Sequence, residues 1–415
     1  MMEMNSLSKN NYPGVKLDTQ HLHEHILQNS SVFYIDTSGQ SNIVSSSSMT
    51  ETYKSYLSCT EAQKQYSCGV LITIILGTLW VGFTQFSKNT YTESFTAPLI
   101  VVYFHTSWLV VFYPVYITVV FIVARGSIQL KQLYSENFKI YKEETKLVRF
   151  SVRTCAFCFI WAISNYSYIR ALQLLDSVDV IALYSTNQSF VYMLSWIILF
   201  EKFIAIRILA IIFSITGIVL FAYADGFGTS NMWGVVLAVV SASAAAVYKI
   251  FCKKFIGEVN FGKISLFLSL VGLTNLLVLW PFVLLFYFTK TEFVDWFDLP
   301  WTPLCASAVF TTAHQLVFNY SGVFTITFFI ETALLFGIPL GAIADIVWRN
   351  SHFSGMKISA LVLIEVGLLL TILPEGWHHH VMRGFRFVKE LVSKPPPEED
   401  IPPQTSRFEW RNSIN

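Results

Sequence analysis

The chain has 415 residues, of which 53% are hydrophobic and 13% are charged, and its formal net charge is +1 at pH 7. A soluble domain of this length carries about twice that fraction of charged residues, and a nucleic-acid-binding protein usually shows a strong basic bias. The composition therefore indicates a membrane protein whose partners are the lipid bilayer and small molecules, and it excludes nucleic acid.

Long apolar stretches recur along the chain and fit the thickness of a bilayer. About 20 apolar residues cross the hydrocarbon core, and a single segment satisfies its backbone polar groups in lipid by forming a helix. The sequence therefore predicts ten transmembrane helices, at about 67–87, 96–124, 152–172, 180–200, 204–223, 232–254, 263–288, 302–322, 325–347 and 355–373.

The distribution of Lys and Arg predicts the orientation of these helices. The connection between the second and third spans is basic from Arg125 to Arg153, and the tail is basic from Arg383 to Lys394. By the positive-inside rule both termini lie in the cytoplasm, which requires an even number of spans. The cations that break this rule are Lys88, Lys290, Arg349 and Lys357. The pattern indicates an integral, multi-pass protein without indicating which membrane holds it.

The chain also repeats itself. Asn165-Tyr-Ser recurs as Asn319-Tyr-Ser, and Gly217 and Gly226 recur with the same spacing as Gly367 and Gly376. Each half holds five spans, and an odd number inverts the second copy. We therefore predict an all-α polytopic membrane protein with ten transmembrane helices in two inverted five-helix repeats; chance matches between apolar segments are the alternative. The predicted parts are a disordered cytoplasmic tail 1–62, repeats 63–227 and 228–378, and a cytoplasmic tail 379–415.

The third and fourth spans carry polar and aromatic side chains at membrane depth. In the fourth span, Tyr184, Asn187 and Gln188 belong to a polar run that is costly in hydrocarbon unless it meets partners or water. In the third, Trp161 and Tyr168 flank Asn165, where rings beside an amide suit a flat heterocycle or a cation. We predict that these side chains bind substrate. Hydrogen bonding between helices and ordinary aromatic packing are the alternatives.

The sixth span is rich in small residues from Ser241 to Ala246, which favours close packing or a hinge. Lys249 follows near its cytoplasmic end. We expect the long side chain of Lys249 to extend towards the membrane surface rather than into the bundle.

The eighth and ninth spans supply the other candidates. Gln315 and Asn319 are predicted to bind substrate, together with Glu331. Because buried carboxyl and imidazole groups can exchange protons, Glu331 and His314 are candidates for ion coupling; headgroup water at Glu331 and a structural hydrogen bond at His314 are the alternatives. In the ninth span Gly337 and Pro339 predict a hinge, since proline frees the carbonyl of the preceding turn.

Motifs for catalysis and cofactor binding are missing from the sequence. There is no P-loop, His-Glu-x-x-His or Gly-x-Ser-x-Gly pattern. Cys155 and Cys158 form a C-x-x-C in an apolar segment and are expected to be small buried residues. We predict no catalytic residues, no metal site and no cofactor, and the chain is not expected to be an enzyme. Whether it forms a homo-oligomer is left open.

Several segments resemble a known family. They are Asn187–Leu199, Tyr223–Gly226, Ser241–Ala244, Phe288–Lys290 and Leu373–Trp377. They are similar to the drug/metabolite transporter superfamily and, within it, to solute carrier family 35, subfamily F, in the branch associated with thiamine transport. The resemblance covers about 65–380 and implies ten helices in two inverted halves, alternating access and a central cavity. The chain departs from the family pattern at Gln188, where relatives have Lys, and at Glu331, where they have a small polar residue.

Three functions remain open from the sequence. The first is secondary-active or facilitative transport of a small organic solute such as a thiamine-like cation, because amides, rings and Glu331 lie at mid-depth without a neighbouring Lys or Arg. The second is nucleotide-sugar antiport, for which a diphosphate needs cations that the span centres lack. The third is a non-transporting receptor or scaffold with the same fold.

Overall fold

The computed structural model describes residues 46–123, 133, 135, 137, 138, 147–200, 205–224, 226, 229–256, 260–325 and 327–372. The N-terminal tail to residue 45, the basic residues between Arg125 and Lys146, and the C-terminal tail 379–415 lie outside these ranges. The chain divides into two units, Met1–Ala62 and Gln63–Asn415. The description of contacts below concerns the second unit.

The described elements are almost entirely helical. The helices are α1 (Ser46–Lys88), α2 (Pro98–Ser107), α3 (Phe112–Val123), α4 (Leu147–Leu174), α5 (Ser177–Ser185), α6 (Asn187–Leu199), α7 (Ala205–Ala224), α8 (Ser230–Phe255), α9 (Phe261–Val278), α10 (Trp280–Phe288), α11 (Trp301–Phe324), α12 (Thr327–Arg349) and α13 (Gly355–Ile372). Two short strands, β1 (Phe95–Thr96) and β2 (Phe293–Val294), pair antiparallel. Helix α1 begins at Ser46, within the tail that the sequence predicted to be disordered up to residue 62.

Seven helical segments among the described residues are long and apolar enough to cross a membrane. They are Tyr66–Lys88, Pro98–Val123, Ile206–Ala224, Ser230–Phe255, Phe261–Phe288, Phe328–Arg349 and Gly355–Ile372. Large apolar side chains such as Ile122, Val123 and Trp233 remain exposed on the outside, as expected where lipid rather than water is the solvent. The protein is a polytopic helical membrane protein.

Three of the ten predicted spans are not among these seven. They correspond to α4, to α5 with α6, and to α11, which the structure describes as helices. Helices α5 and α6 have only 9 and 13 residues, because the fourth span is broken between them. Helices α4 and α11 carry polar residues such as Asn165 and Gln315. These helices carry most of the predicted site.

Two of the predicted spans are interrupted helices, whereas the span that contains Pro339 is continuous. The second consists of α2 and α3 joined by a 3₁₀ turn at Trp108–Val111, and the fourth is broken at Thr186 between α5 and α6. The hydroxyls of Ser185 and Thr186 donate to the carbonyls of Ala182 and Leu183 at 2.7 and 2.6 Å, which competes with the regular helical pattern. By contrast, α12 continues as one helix through Pro339, and the hinge predicted there stays a prediction.

Close backbone contacts between helices depend on glycine and serine. A Cβ on Gly217 of α7 would lie 2.5 Å from Ile364 and 3.2 Å from the carbonyl of Ala360 on α13. A Cβ on Gly367 of α13 would lie 2.9 Å from the carbonyl of Ala210 on α7. Each glycine therefore lets the facing helix approach closely.

Reciprocal hydrogen bonds join α4 to α8. The hydroxyl of Ser164 donates to the carbonyl of Ser241 at 3.0 Å, and the hydroxyl of Ser241 donates to the carbonyl of Ser164 at 2.7 Å. The small residues of α8 therefore form a packing face against α4, one of the two roles expected for them from the sequence.

Candidate functional site

A cavity lies between the helices in the interior of the second unit, and we call it the central cavity. It holds about 980 Å³ of space, counted together with its opening to the outside. Its wall is formed by Leu76, Trp80, Trp161, Ser164, Asn165, Tyr184, Asn187, Gln188, Ala245, Tyr248, Lys249, Leu268, Thr311, His314, Gln315, Phe318, Asn319, Ile330, Ala333 and Leu334.

Helical periodicity explains which side chains reach the wall. Residues three and four apart share one face of a helix. The contributing sets follow this spacing in α4 (161, 164, 165), α8 (245, 248, 249), α11 (311, 314, 315, 318, 319) and α12 (330, 333, 334). Each helix thus presents one stripe to the space, and the stripes of α4 and α11 are the most polar.

The polar run of the fourth span is divided between two roles. Asn187 and Gln188 line the central cavity. The hydroxyls of Ser185 and Thr186 donate to backbone carbonyls of α5. The hydroxyl of Ser189 lies 2.9 Å from the hydroxyl of Ser214 on α7. The run therefore includes both cavity residues and contacts between helices, the two alternatives that the sequence left open.

Asn187 occupies a fixed position at the start of α6. Its Nδ2 donates to the carbonyl of Tyr184 at 2.8 Å, and its Oδ1 accepts from Nζ of Lys249 at 3.3 Å. Gln188 is 4% exposed, and its side-chain amide has no hydrogen-bond partner among the described residues. An amide without a protein partner on a cavity wall is free to bind a ligand or water.

Asn165 and Asn319 have matching local geometry. The Nδ2 of Asn165 donates to the carbonyl of Trp161, four residues earlier, and the Nδ2 of Asn319 donates to the carbonyl of Gln315 in the same way, both at 2.8 Å. Each amide donates through its nitrogen to a backbone carbonyl, and its oxygen accepts no hydrogen bond from the described residues. The two asparagines therefore offer acceptors on the cavity wall.

Aromatic rings form much of the remaining wall. The rings of Trp80 and Tyr184 stack with centroids 4.9 Å apart, and His314 lies 5.0 Å from Trp80. The ring of Trp161 lies 5.2 Å from Tyr248. Trp80 and Tyr248 were not among the residues predicted to bind substrate. Trp80 lies four residues after Leu76, on the same face of α1, and Tyr248 lies beside Lys249 on α8.

Tyr168 does not belong to the cavity wall. It is 2% exposed, its hydroxyl lies 2.7 Å from that of Thr84, and its ring packs 5.2 Å from Trp80. It forms a buried layer behind the rings that face the cavity. Its predicted contact with substrate is therefore not available in this conformation.

Two charged residues occupy positions opposite to the expectation. Lys249, expected near the membrane surface, lines the cavity. Glu331 does not line it, because Ile330, Ala333 and Leu334 form the inward stripe of α12 and residue 331 falls to one side of it. The premise for a cationic solute, a carboxylate at mid-depth without a neighbouring Lys or Arg, is thus not met by this geometry.

The hinge candidates also lie outside the wall. Gly337 is buried where α12 meets α1, and a Cβ on Gly77 of α1 would lie 3.0 Å from the carbonyl of Ala333 and 3.6 Å from the nitrogen of Gly337. Pro339 is exposed. Of the coupling candidates, His314 is on the wall, and its Nδ1 has no hydrogen-bond partner among the described residues.

A second polar region closes one end of the bundle, and we call Gln85, Asn89, Ser177, Asp345 and Arg349 the Arg349 cluster. Arg349 donates to Asp345 at 2.7 Å, to Ser177 at 3.0 Å, to Asn89 at 2.7 Å and to Gln85. Gln85 donates to Oδ1 of Asp345 at 2.7 Å. The cluster therefore ties together α1, α5 and α12.

Asp345 is the centre of this cluster. It is 0% exposed, and its Oδ2 accepts from the backbone nitrogen of Val178 at 2.8 Å, at the start of α5, where the helix dipole favours a negative charge. Asp345 was not among the residues predicted from the sequence. Its position four residues before Arg349 places both side chains on one face of α12, and this spacing was the pattern that indicated the pair.

Other cations that break the positive-inside rule are paired at the same end of α1 and α5. Lys357 lies 2.7 Å from the buried Asp179, and Lys88 lies 3.4 Å from Asp176 and donates to the carbonyl of Leu175. With Arg349, three of the four cations that depart from the predicted charge pattern thus have acidic partners.

Metal chemistry has no support in the described part of the chain, where no group of three His, Cys, Asp or Glu residues is placed to hold an ion. Cys155 and Cys158 are free thiols, the first exposed and the second buried. The second of them fits the expectation of a small buried residue. A run of three histidines, His378 to His380, follows the last apolar span in the sequence and lies outside the described residues.

Known proteins resemble this chain over most of its length, although no family model matches it. Solute carrier family 35 member F3 of Homo sapiens is 32% identical over 343 residues, 82% of this chain and 81% of the relative. Solute carrier family 35 member F4 of Mus musculus is 34% identical over 361 residues, 86% of this chain and 74% of the relative. Solute carrier family 35 member F5 of Bos taurus is 27% identical over 266 residues, 61% of this chain and 50% of the relative.

These relatives are solute carriers and not enzymes. Together with the membrane-length helices and the polar central cavity, the likeness places this protein among membrane transporters of small molecules. The chain belongs to solute carrier family 35, and within it to subfamily F.

Proposed function

We propose that this protein is a secondary-active or facilitative transporter that binds a small organic solute in the central cavity and moves it by alternating access. The observation that carries the proposal is the cavity itself, a space lined by amides and aromatic rings from α4, α6 and α11 inside a membrane-spanning bundle. Polar groups at such depth are costly unless they face partners or water.

The topology that we propose has ten transmembrane helices in two inverted repeats, 63–227 and 228–378, with both termini in the cytoplasm. The contact between α7 and α13 supports it. Gly217 faces Ala360 and Ile364, while Gly367 faces Ala210 and Ser214. An offset of about 150 residues exchanges these two sets of contacts, as expected for equivalent helices in an arrangement with two-fold pseudosymmetry.

Alternating access requires one end of the cavity to be closed, and the Arg349 cluster supports this part of the proposal. Along α1, Leu76 and Trp80 reach the cavity, Thr84 is buried against Tyr168, and Gln85 joins Arg349. A dry layer and an ionic layer thus separate the cavity from that end. To open this end of the cavity, α1, α5 and α12 would have to break the hydrogen bonds and the ion pair of the Arg349 cluster. The cluster therefore belongs to the state in which this end is closed.

The aromatic wall favours a flat ring as part of the solute. Trp80, Trp161 and Tyr184 offer faces to a heterocycle, and a thiamine-like ring is the candidate that the family resemblance suggests. A nucleotide sugar is the alternative, although its diphosphate would meet a single lysine and no arginine on the described wall. A non-transporting scaffold would leave the cavity without a role.

Counterflow into proteoliposomes tests the proposal. Purified protein is reconstituted and assayed with labelled thiamine, thiamine monophosphate and a panel of nucleotide sugars. We expect saturable flux of at least one, reduced by Gln188→Ala by about five- to tenfold, since a lost ligand hydrogen bond of about 1–1.4 kcal/mol corresponds to that factor. The matched control is Asn231→Ala, on the first turn of α8 and outside the cavity wall, which leaves flux unchanged.

Two outcomes would contradict the proposal. Absence of saturable flux from folded protein across the whole panel would argue against transport. A cellular phenotype that survives Asn187→Ala and Gln188→Ala but disappears when the tails are removed would favour a scaffold instead.

A further inference from the structure

Among the residues that line the central cavity in the described part of the chain, Lys249 is the one Lys, Arg, Asp or Glu. Its Nζ lies 3.3 Å from Oδ1 of Asn187 and 5.7 Å from the ring centre of Phe318. Asn187 is itself held by the carbonyl of Tyr184, so the ammonium is directed to one place on the wall. A lysine ammonium has three N–H donors, and one of them accounts for the bond to Asn187.

The wall offers this ammonium no carboxylate. The buried acids Asp179 and Asp345 are paired with Lys357 and Arg349 at the far end of α12 and α13. Glu331 is close enough to act on Lys249 electrostatically, but the two side chains form no salt bridge, and Glu331 lies to one side of the α12 residues that line the wall. The cavity therefore presents a positive charge that a solute could neutralise.

The surroundings of Lys249 specify more than charge. Gln188 adds an amide without a protein partner, and Trp80, Trp161 and Tyr184 add ring faces on the same wall. A lysine donor and a neutral amide donor on the same wall together suit one oxyanion, since charge-assisted hydrogen bonds are the stronger kind. The rings then hold the flat part of the same molecule.

We infer that the solute of the central cavity carries a single oxyanion, a carboxylate or a phosphate, on a flat aromatic ring, and that Lys249 is the residue that selects this charge. The inference rests on the proposed function only in taking the cavity as the solute site. It replaces the cationic solute expected from the sequence with an anionic one, and it assigns Lys249 a role in specificity.

The charge of the cavity can be measured without knowing the solute. Thr311 is half-buried on the wall, one turn from His314, and Thr311→Cys places a thiol there. The rates of labelling by an anionic sulfonatoethyl and a cationic trimethylammonioethyl methanethiosulfonate are compared, with the unsubstituted chain as background. We expect Lys249→Gln to lower the anion-to-cation rate ratio on the order of tenfold, as the loss of one nearby charge predicts.

Glu331→Gln is the matched control for this measurement, because it removes the carboxylate that acts on Lys249 without altering the wall. We expect a ratio equal to or above that of the parent. The inference would be overturned if the anion-to-cation rate ratio of Thr311→Cys equalled that of a small thiol in solution and rose only when Glu331→Gln was added. That result would show that Glu331 neutralises Lys249.

Ligand binding to the purified full chain gives the second test. Each of two pairs of probes shares one ring system, and only one member carries an oxyanion: nicotinate with nicotinamide for a carboxylate, and thiamine monophosphate with thiamine for a phosphate. We expect the anionic member of one pair to bind at least about tenfold tighter than its partner, a difference that disappears in Lys249→Gln. Which pair responds identifies the oxyanion.

The outcomes separate this inference from the proposed function. Equal binding within both pairs, or a preference that persists in Lys249→Gln, would overturn the inference even if the protein transports a solute. Charge selectivity that depends on Lys249 in a protein without flux would support the inference and reject transport alone.

Discussion

The central cavity and the Arg349 cluster are both polar regions inside an apolar bundle, and α1 contributes to both. In the cluster, nearly every donor meets an acceptor from a neighbouring helix, and Asp345 is fully buried at its centre. In the cavity, Gln188 and Nδ1 of His314 have no protein partner among the described residues. Polar groups that satisfy one another fix a structure, whereas polar groups that face a space can bind a ligand.

This difference predicts opposite responses to mutation. Substitutions in the cluster should change folding or the closed state, because they leave a buried charge without its partner. Substitutions on the cavity wall should change binding with little change in stability, because water can replace the lost group.

The largest expected effect follows from Arg349→Met. It leaves Asp345 buried and unpaired, which should destabilise the protein by about 3–5 kcal/mol. Thermal unfolding of the purified protein measures the loss, and Lys290→Met, at an exposed cation in a turn, is the control without effect. The double variant Asp345→Leu with Arg349→Met should regain part of the stability, since no buried charge remains. An unfolding temperature unchanged by Arg349→Met would show that the cluster is not a structural element.

The next effect concerns the dry contact between α7 and α13. Gly367→Ala places a Cβ 2.9 Å from the carbonyl of Ala210, and Gly217→Ala places one 2.5 Å from Ile364. Each should destabilise by about 1–3 kcal/mol, as overpacking usually does. In Gly322→Ala the new Cβ meets nothing within 4 Å, so this control should be neutral or stabilising. Unequal effects at the two reciprocal glycines would weaken the case for equivalent helices.

A smaller effect on stability, with a large effect on function, is expected on the cavity wall. Gln188→Ala should change the free energy of unfolding by no more than about 0.5 kcal/mol while lowering ligand affinity about five- to tenfold. Thermal unfolding and binding of thiamine monophosphate, measured on the same preparation, test both parts. A variant that unfolds as easily as Arg349→Met would remove the distinction between the two regions.

The smallest effect lies outside both regions, at Glu292, in the connection before β2. Burial raises the pKa of this carboxyl from the usual 4.5 to about 7, although the N–H of Leu99, 2.9 Å away, and the charge of Arg170 act against the rise. The folded state therefore holds the proton more tightly than the unfolded state. Between pH 4.5 and about 7, this group lowers stability as the pH rises.

Glu292→Gln isolates this contribution, because the amide keeps an acceptor for Leu99 and does not titrate. The difference in unfolding temperature between the protein and the variant should grow in favour of the variant from pH 5 to pH 8. Identical pH profiles for the two proteins would contradict the raised pKa.

Much of the site was accessible to sequence reasoning because helical spacing and polarity are local properties. Asn165, Asn187, Gln188, Gln315 and Asn319 were identified from their depth in apolar segments, and the structure brings all of them to one cavity. Tyr168 has the same signature but packs against Thr84, because its direction depends on how α4 is rotated against α1. Spacing on one helix cannot specify that rotation.

Charges were the less predictable part. Lys249, expected near the membrane surface, lines the cavity, whereas Glu331, expected at mid-depth in the site, does not. Asp345 and Arg349 form a pair on one helix, but their link to Gln85 and Ser177 joins residues far apart in the chain.

The sequence by itself determined that the protein crosses a membrane many times and that polar side chains recur at the depth of its interior, because hydropathy and helical periodicity are written along the chain. Only the tertiary structure decided which of those side chains satisfy each other and which face a common space. The energy of a polar group in hydrocarbon depends on its partners, and those partners lie on other helices.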